Sequence, residues 1–137
     1  MTAIPADLLS AIITLLAIGL YFYMGIVVGQ MRHKHGIKAP ATSGAPEFDC
    51  AMRVQMNTLE HLPVFLALLW LGTFYFHTWP WLPAALGLVW VAGRIAFMTG
   101  YMSAPEKRST GFAISSAAEI VLFIAVVAGI VQSWPTV

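Results

Sequence analysis

Three side chains of different chemistry share one face of a helix near the middle of the chain. In the segment RVQMNTLEHLP, Arg53, Asn57 and Glu60 fall within about 60° of one another on a helical wheel, because successive residues are about 100° apart. Gln55 and His61 point elsewhere. The shared face offers guanidinium donors, an amide that donates and accepts, and a carboxylate. Such a set can bind a ligand that carries charges of both signs.

Further cations lie in or beside the other apolar segments. The additional candidate groups, in chain order, are Arg32, Arg94, Tyr101, Arg108 and Ser109. Arg94 and Tyr101 are seven residues apart and therefore share a helix face. With Arg53 included, the candidate residues contain four arginines and one carboxylate, Glu60. Because guanidinium groups bind carboxylates in a bidentate manner, this surplus of arginine predicts an anionic, multidentate ligand.

The residues alone leave a purely structural role open. Arg53 and Glu60 could form an internal ion pair that fixes helix packing, with Asn57 as an interhelical hydrogen bond. The further arginines favour ligand binding instead, because packing does not require unpaired cations at membrane depth. Glu119 has no evident partner in the sequence, and we assign it no chemistry.

Metal, cysteine and nucleic-acid chemistry find little support in the sequence. The lone Cys50 excludes an internal disulfide and a cysteine-based zinc site. His33 and His35 form a short pair in a basic segment, and a metal site would need more ligands. The net charge is only +1, and Lys and Arg are confined to short segments. The sequence therefore predicts no metal cofactor and no nucleic-acid partner.

The elements that must position these groups are membrane helices. The 137 residues are 59% hydrophobic and 9% charged, whereas about one-quarter of the residues in a soluble domain are charged. Helices are expected because a lone hydrophobic hairpin leaves backbone groups unpaired in lipid. We therefore predict an all-α integral membrane protein, a four-transmembrane-helix bundle forming a single domain over 1–137. Hydropathy places its helices at about 7–31, 50–77, 81–102 and 105–133.

The distribution of basic residues predicts the orientation of the bundle. The first connection carries Arg32, Lys34 and Lys38, and the third carries Lys107 and Arg108, whereas the middle turn has no Lys or Arg. The positive-inside rule places the first and third connections in the cytoplasm and both termini outside. The candidate groups then face the cytoplasm. Short connections favour a bacterial inner membrane over an organelle.

The fourth helix is expected to begin at a capping box. The segment Ser103-Ala104-Pro105-Glu106 has the required serine and glutamate three residues apart, with proline in the first turn. The helix would then start near Ala104. Lys107 and Arg108 would lie about one turn inside it.

A longer pattern in this chain resembles the MAPEG family, membrane proteins of eicosanoid and glutathione metabolism. The matching residues are Pro46-Glu47-Phe48, Arg53-x-Gln55-x-Asn57-x-x-Glu60-x-x-Pro63-x-Phe65, Gly87-Leu88-Val89, Arg94-x-x-Phe97-x-x-Gly100-Tyr101 and Arg108. The motif-level similarity covers about 32–110, and the outer helices match by length and hydropathy. The resemblance implies a four-helix bundle that assembles as a homotrimer. It also implies glutathione as co-substrate, bound between neighbouring subunits near the cytoplasmic face.

The resemblance further implies roles for the residues of the second helix. Arg53, Asn57 and Glu60 would hold the glutathione peptide, with Glu60 at its α-amino group and Arg53 at a carboxylate. Gln55 matches a family glutamine and would reach the ligand from the adjacent face of the helix. His61 stands where some members have tyrosine.

Roles for the remaining candidates follow in the same way. Arg32 matches a cationic position that grips the second carboxylate, and Tyr101 matches a tyrosine that binds the tripeptide. Arg108 aligns with the arginine that stabilises the thiolate, and Ser109 resembles a serine that follows it in part of the family. The resemblance also places Arg94 among the residues that bind glutathione.

The resemblance therefore implies a membrane-bound glutathione transferase. The thiolate would add to a lipophilic electrophile supplied by the membrane lipids, and lipid hydroperoxides are a further candidate substrate. One alternative is a family member that binds lipid or glutathione without catalysis. Another is a small four-helix transporter, which is disfavoured because the first apolar helix has no charge in its interior.

Overall fold

The computed structural model describes residues 2–136, which form four long α-helices in antiparallel succession. α1 covers Ala6–His35, α2 Pro46–Tyr75, α3 Leu82–Ser103 and α4 Ser109–Ser133, and a 3-10 turn at Pro105–Arg108 precedes α4. All four are long and apolar enough to cross a membrane. The described residues contain no strand. The predicted all-α fold with four membrane spans is therefore confirmed.

The first connection is shorter than predicted because both helices beside it are longer. α1 extends to His35 rather than residue 31 and ends at Gly36, whose φ of 64° supplies the left-handed C-cap. α2 begins at Pro46 rather than residue 50, since proline is pre-organised for the first turn of a helix. The carboxylate of Asp49 accepts a hydrogen bond of 3.1 Å from the Gly44 N–H and supports this start.

The capping box expected at the start of the fourth helix is not formed. Ser103 is the last residue of α3, and no side chain caps the 3-10 turn that follows. Lys107 and Arg108 consequently lie in that turn, before α4 rather than inside it. The reversal is tight because the Lys107 carbonyl occupies the space that a Cβ on Gly100 would take. The close approach of α3 to the turn thus overrides the local capping pattern.

The core is formed where the four helices meet. The rings of Phe65 and Trp90 stack with centroids 4.0 Å apart, and both side chains are fully buried. Backbone-to-backbone contact between α3 and α4 occurs at Gly93 and Gly111, which leave no room for a side chain. Much of the outer surface is apolar, and Phe123 on α4 is 60% exposed. This exposure is what a bundle surrounded by lipid or by further subunits requires.

The first connection is held against α2 by charged contacts. Arg32 Nη1 donates a hydrogen bond of 2.7 Å to the Ala41 carbonyl, and its guanidinium lies 4.8 Å from the centre of the Phe48 ring. Lys34 forms an ion pair of 2.9 Å with Glu47. These contacts lie at the same end of the bundle as the 3-10 turn. They order the end at which most of the candidate residues are found.

Candidate functional site

A cleft opens between α2, α3 and α4 at the end of the bundle that carries the first and third connections. Its walls are formed by Arg53, Asn57, Phe97, Tyr101, Arg108, Ser109 and Phe112. Its volume is about 310 Å³, close to the lower limit of roughly 300 Å³ for small-molecule sites. Two arginines but no Asp or Glu line it among the described residues. The cleft therefore attracts anions.

The guanidinium of Arg53 is available to a ligand. Arg53 is exposed, and the ion pairs formed within residues 2–136 include neither Arg53 nor Glu60. The internal Arg53–Glu60 pair that a purely structural role would require is thus not formed. Glu60 is also exposed and lies outside the walls of the cleft.

Asn57 on α2 accepts an interhelical hydrogen bond from Arg94 on α3. Arg94 Nη1 donates to Asn57 Oδ1 over 2.6 Å. Because this bond engages the carbonyl of the amide, the amino group of Asn57 is the part left to donate to a ligand. Arg94 itself is fully buried behind the cleft, with its guanidinium 5.2 Å from the Phe97 ring centre and 5.3 Å from that of Trp90. In this chain Arg94 therefore positions Asn57.

Arg108 stands at the mouth of the cleft opposite α2. Its Nη1 donates to the Pro105 carbonyl over 3.0 Å, and its guanidinium lies 5.5 Å from the centre of the Tyr101 ring. The Ser109 hydroxyl is 3.4 Å from the Glu106 carbonyl. The 3-10 turn fixes Arg108 beside Tyr101 and leaves most of its N–H groups unused, so they can bind an anion in the cleft.

Two predicted ligand residues point away from the cleft. Arg32 is engaged with the first connection, as described above. The amide of Gln55 lies against α1, where its Nε2 is 3.1 Å from the position of a Cβ on Gly25. Five of the predicted site residues line the cleft of one chain: Arg53, Asn57, Tyr101, Arg108 and Ser109. The other four do not line it: Arg32, Gln55, Glu60 and Arg94.

Sequence reasoning missed Phe112 and a polar cluster beside it. Glu119, which lacked an evident partner in the sequence, accepts a hydrogen bond of 2.8 Å from Trp90 Nε1 and lies 3.1 Å from His61 Nδ1. Phe112 and Glu119 are seven residues apart and so share a face of α4. This seven-residue spacing is the sequence pattern that could have pointed to the two residues. Within residues 2–136, no group of three or more His, Cys, Asp or Glu side chains is gathered as a metal site.

Comparison with known proteins gives consistent matches over most of the chain. A profile of the MAPEG family matches residues 10–128. An uncharacterised protein from Synechocystis sp. is 46% identical over 114 residues, which are 83% of this chain and 82% of that protein. Microsomal glutathione S-transferase 2 from Homo sapiens is 36% identical over 109 residues, 80% of this chain and 73% of that enzyme. Leukotriene C4 synthase from Cavia porcellus is 37% identical over 100 residues, 73% of this chain and 65% of that enzyme.

Proposed function

The chain belongs to the MAPEG family, and from this membership and the cleft we propose that it is a membrane-bound glutathione transferase. Its relatives support a glutathione-related activity in a membrane enzyme. The observation that carries the specific proposal is the pair of arginines, Arg53 on α2 and Arg108 in the 3-10 turn, that line one cleft with no carboxylate from residues 2–136 beside them. Glutathione carries two carboxylates and one ammonium group, which fits a site rich in arginine.

Each polar side chain of the cleft has a proposed part in the reaction. Arg53 binds a carboxylate, Asn57 donates from its amino group, and Tyr101 and Ser109 contact the tripeptide. A free thiol has a pKa of about 8.5 and is mostly protonated at neutral pH. The Arg108 guanidinium stabilises the thiolate, which is the form that attacks electrophiles. The product is a thioether of the lipophilic electrophile, as in a detoxification reaction.

The second substrate comes from the bilayer in this proposal. The outer faces of the helices are apolar and exposed, so a lipophilic electrophile or a lipid hydroperoxide can approach the cleft from the membrane lipids. By the positive-inside rule the cleft faces the cytoplasm, and we place the protein in a bacterial inner membrane. The first helix offers little to a proton-coupled transporter, because no charged residue lies between Leu8 and Met31.

We propose that a homotrimer completes the site. Arg32 and Gln55, which lie outside the cleft of their own chain, then reach the cleft of a neighbouring subunit and bind the second carboxylate of glutathione. The small volume of the cleft in a single chain supports this, since a tripeptide needs further walls. A cyclic trimer places the same two surfaces together three times.

Mixed assemblies test the shared site. Arg32→Ala and Arg108→Ala are each expected to be nearly inactive alone, because every site then lacks one arginine. When the two variants are coexpressed in equal amounts, random assortment restores both arginines in about one-quarter of the sites of a cyclic oligomer. Turnover should recover to that fraction. Activity that stays at the level of the single variants would contradict a site shared between subunits.

Glu60 lies outside the cleft walls of one chain, and we propose that in the complete site it meets the ammonium group of glutathione, as the family resemblance implies. Neutralising Glu60 tests this contact. Glu60→Gln is expected to raise the KM for glutathione about fivefold with little change in kcat, since an exposed ion pair contributes about 1 kcal/mol. Asp7→Asn is the matched control, because Asp7 is an exposed carboxylate at the opposite end of the bundle. An unchanged KM in Glu60→Gln would show that this carboxylate does not bind the ligand.

The proposed activity is tested by assaying the purified protein with glutathione against an aryl halide, a lipid hydroperoxide and a lipophilic epoxide. Turnover of the aryl halide, measured as thioether formation, supports the transferase. The alternative is glutathione binding without catalysis. Calorimetric binding of glutathione with no turnover of any of the three electrophiles would establish that alternative and refute the transferase.

A further inference from the structure

A polar cluster lies deeper in the bundle than the cleft and has no part in the roles assigned above. It consists of His61 on α2, Trp90 on α3 and Glu119 on α4. His61 Nδ1 is 3.1 Å from both oxygens of Glu119, and Trp90 Nε1 donates to one of them over 2.8 Å. An ionised carboxylate only accepts hydrogen bonds, so Nδ1 is the nitrogen of His61 that carries a proton toward Glu119. The other ring nitrogen, Nε2, is left for a different partner.

His61 Nε2 is open to the surroundings of the bundle. Within residues 2–136 it has no hydrogen-bond partner, yet it is not among the enclosed polar atoms that lack one. The side chain of His61 is 25% exposed, whereas that of Glu119 is 12% exposed. The carboxylate therefore holds the imidazole through Nδ1 from the more buried side, and Nε2 stays accessible.

The open imidazole adjoins the cleft on the side of the hydrocarbon. His61 is four residues beyond Asn57 and thus about 6 Å deeper along α2. Its ring packs edge-on against Phe112, with centroids 5.7 Å apart and an angle of 89° between the planes. Phe112 is a wall of the cleft. His61 itself is not one of the lining residues, so a lipophilic substrate in the cleft reaches it along the Phe112 ring.

Helix packing alone does not account for such a cluster. An ionisable group at membrane depth costs about 2.5–3.5 kcal/mol to insert, and such groups mark functional sites by default. The charged groups facing His61 are Glu119 from α4 and, behind Trp90, the buried guanidinium of Arg94 from α3. Glu119 already has the Trp90 indole as a partner. His61 adds a ring whose Nδ1 is held by Glu119 and whose Nε2 is free, as a general acid requires.

We propose that His61, oriented by Glu119, donates a proton to the oxygen leaving group of the second substrate, which makes lipid hydroperoxides preferred substrates. This inference rests on the proposed glutathione chemistry. The thiolate attacks the terminal oxygen of the hydroperoxide, so that an S–O bond forms and the O–O bond breaks. The electron pair of the broken bond goes to the departing alkoxide. In this step His61 acts as the imidazolium, with one proton on each ring nitrogen. The alkoxide takes the proton from Nε2 and becomes an alcohol, and the neutral ring keeps its Nδ1–H toward Glu119.

The remaining steps balance with a second glutathione. The first glutathione has been oxidised to its sulfenic acid, and the hydroperoxide has been reduced to the alcohol. The thiol of a second glutathione then displaces hydroxide from the sulfenic sulfur, giving glutathione disulfide and water. Solvent restores the proton on His61. An aryl halide follows a different course, because halide departs as a stable anion that needs no proton.

This difference between substrates gives the test. His61→Leu is expected to lower kcat/KM for cumene hydroperoxide about 100-fold, the usual contribution of a general acid. Conjugation of an aryl halide should stay within about twofold of wild type, which also shows that the variant is folded. Glu119→Gln keeps the shape of the side chain and should produce the same selective loss to a smaller extent. His77→Leu, at an exposed histidine outside the cluster, is the matched control and should change neither activity.

The following outcomes would overturn the inference. Equal losses with both substrates in His61→Leu would give His61 a role in glutathione binding or in packing. Unchanged hydroperoxide reduction in His61→Leu and Glu119→Gln would show that His61 is not the proton donor. A wild-type protein that conjugates the aryl halide but does not reduce hydroperoxides would refute this inference and leave the transferase intact. A wild-type protein that turns over none of the aryl halide, the hydroperoxide and the epoxide would refute both.

Discussion

Arg108→Ala is expected to lower kcat for conjugation of an aryl halide by about 100-fold to 1,000-fold. In the proposed mechanism the guanidinium faces the sulfur in the cleft, and removing one preformed donor from a developing or stable anion has an effect of this size. Arg108 is exposed at the end of the bundle and its contacts are local, with the Pro105 carbonyl and the face of Tyr101. The fold should therefore survive. The measurement is steady-state turnover, together with thermal unfolding of the same sample in detergent.

Lys107→Ala is the control for this substitution. Lys107 is the neighbouring exposed cation in the same 3-10 turn, and it does not line the cleft. Its removal should leave turnover within about twofold of wild type, because exposed charges contribute little. Wild-type turnover in Arg108→Ala would refute the role assigned to Arg108.

Gly111→Ala should disrupt the bundle at the contact that forms the cleft. A Cβ on Gly111 would collide with the backbone of Phe97 and lie 2.6 Å from the carbonyl carbon of Ala96, so α3 and α4 must move apart. Backbone atoms cannot rotate away as a side chain can. We expect a loss of about 3 kcal/mol in stability and a midpoint of thermal unfolding lower by roughly 10 °C. Activity should fall as well, because Phe97 and Phe112 on either side of this contact line the cleft.

Gly29→Ala provides the comparison for Gly111→Ala. Gly29 is an exposed glycine of α1 with no atom within 4 Å of the position of its Cβ. The same substitution there should be neutral or stabilising by up to about 1 kcal/mol, because alanine favours a helix more than glycine does. Equal unfolding midpoints for the two variants would show that α3 and α4 are not in close contact at Gly111.

The fold could be predicted because hydropathy and charge act along the chain. Four apolar segments of sufficient length have to be helices in lipid. The ends of α1 and α2 beside the first connection were not predicted, because the cap at Gly36 and the start at Pro46 extend both helices beyond their apolar runs. The start of α4 could not be predicted in this way. The Ser103–Glu106 pattern fits a cap locally, but the approach of Gly100 to the Lys107 carbonyl decides the geometry. This close approach depends on how α3 packs against the 3-10 turn, which the local sequence does not specify.

The site was predicted in part for a similar reason. The wheel of α2 placed Arg53, Asn57 and Glu60 on one face, and the first two line the cleft whereas Glu60 does not. Whether Arg94 reaches a ligand or stands behind Asn57 depends on how α3 is rotated against α2, and hydropathy does not specify that rotation. The partners of Glu119 depend on the rotation of α4 in the same way. Single-helix patterns therefore gave the candidates, and packing determined which of them meet.

The most direct test of the proposed function is the ultraviolet absorbance of the thiolate after purified protein is mixed rapidly with glutathione. We expect an absorbance increase that saturates with glutathione concentration, persists in Lys107→Ala and is absent in Arg108→Ala. Calorimetry on the same samples measures whether glutathione is bound. Wild-type protein that binds glutathione without any thiolate absorbance would contradict the account and leave a protein that binds the tripeptide without activating it.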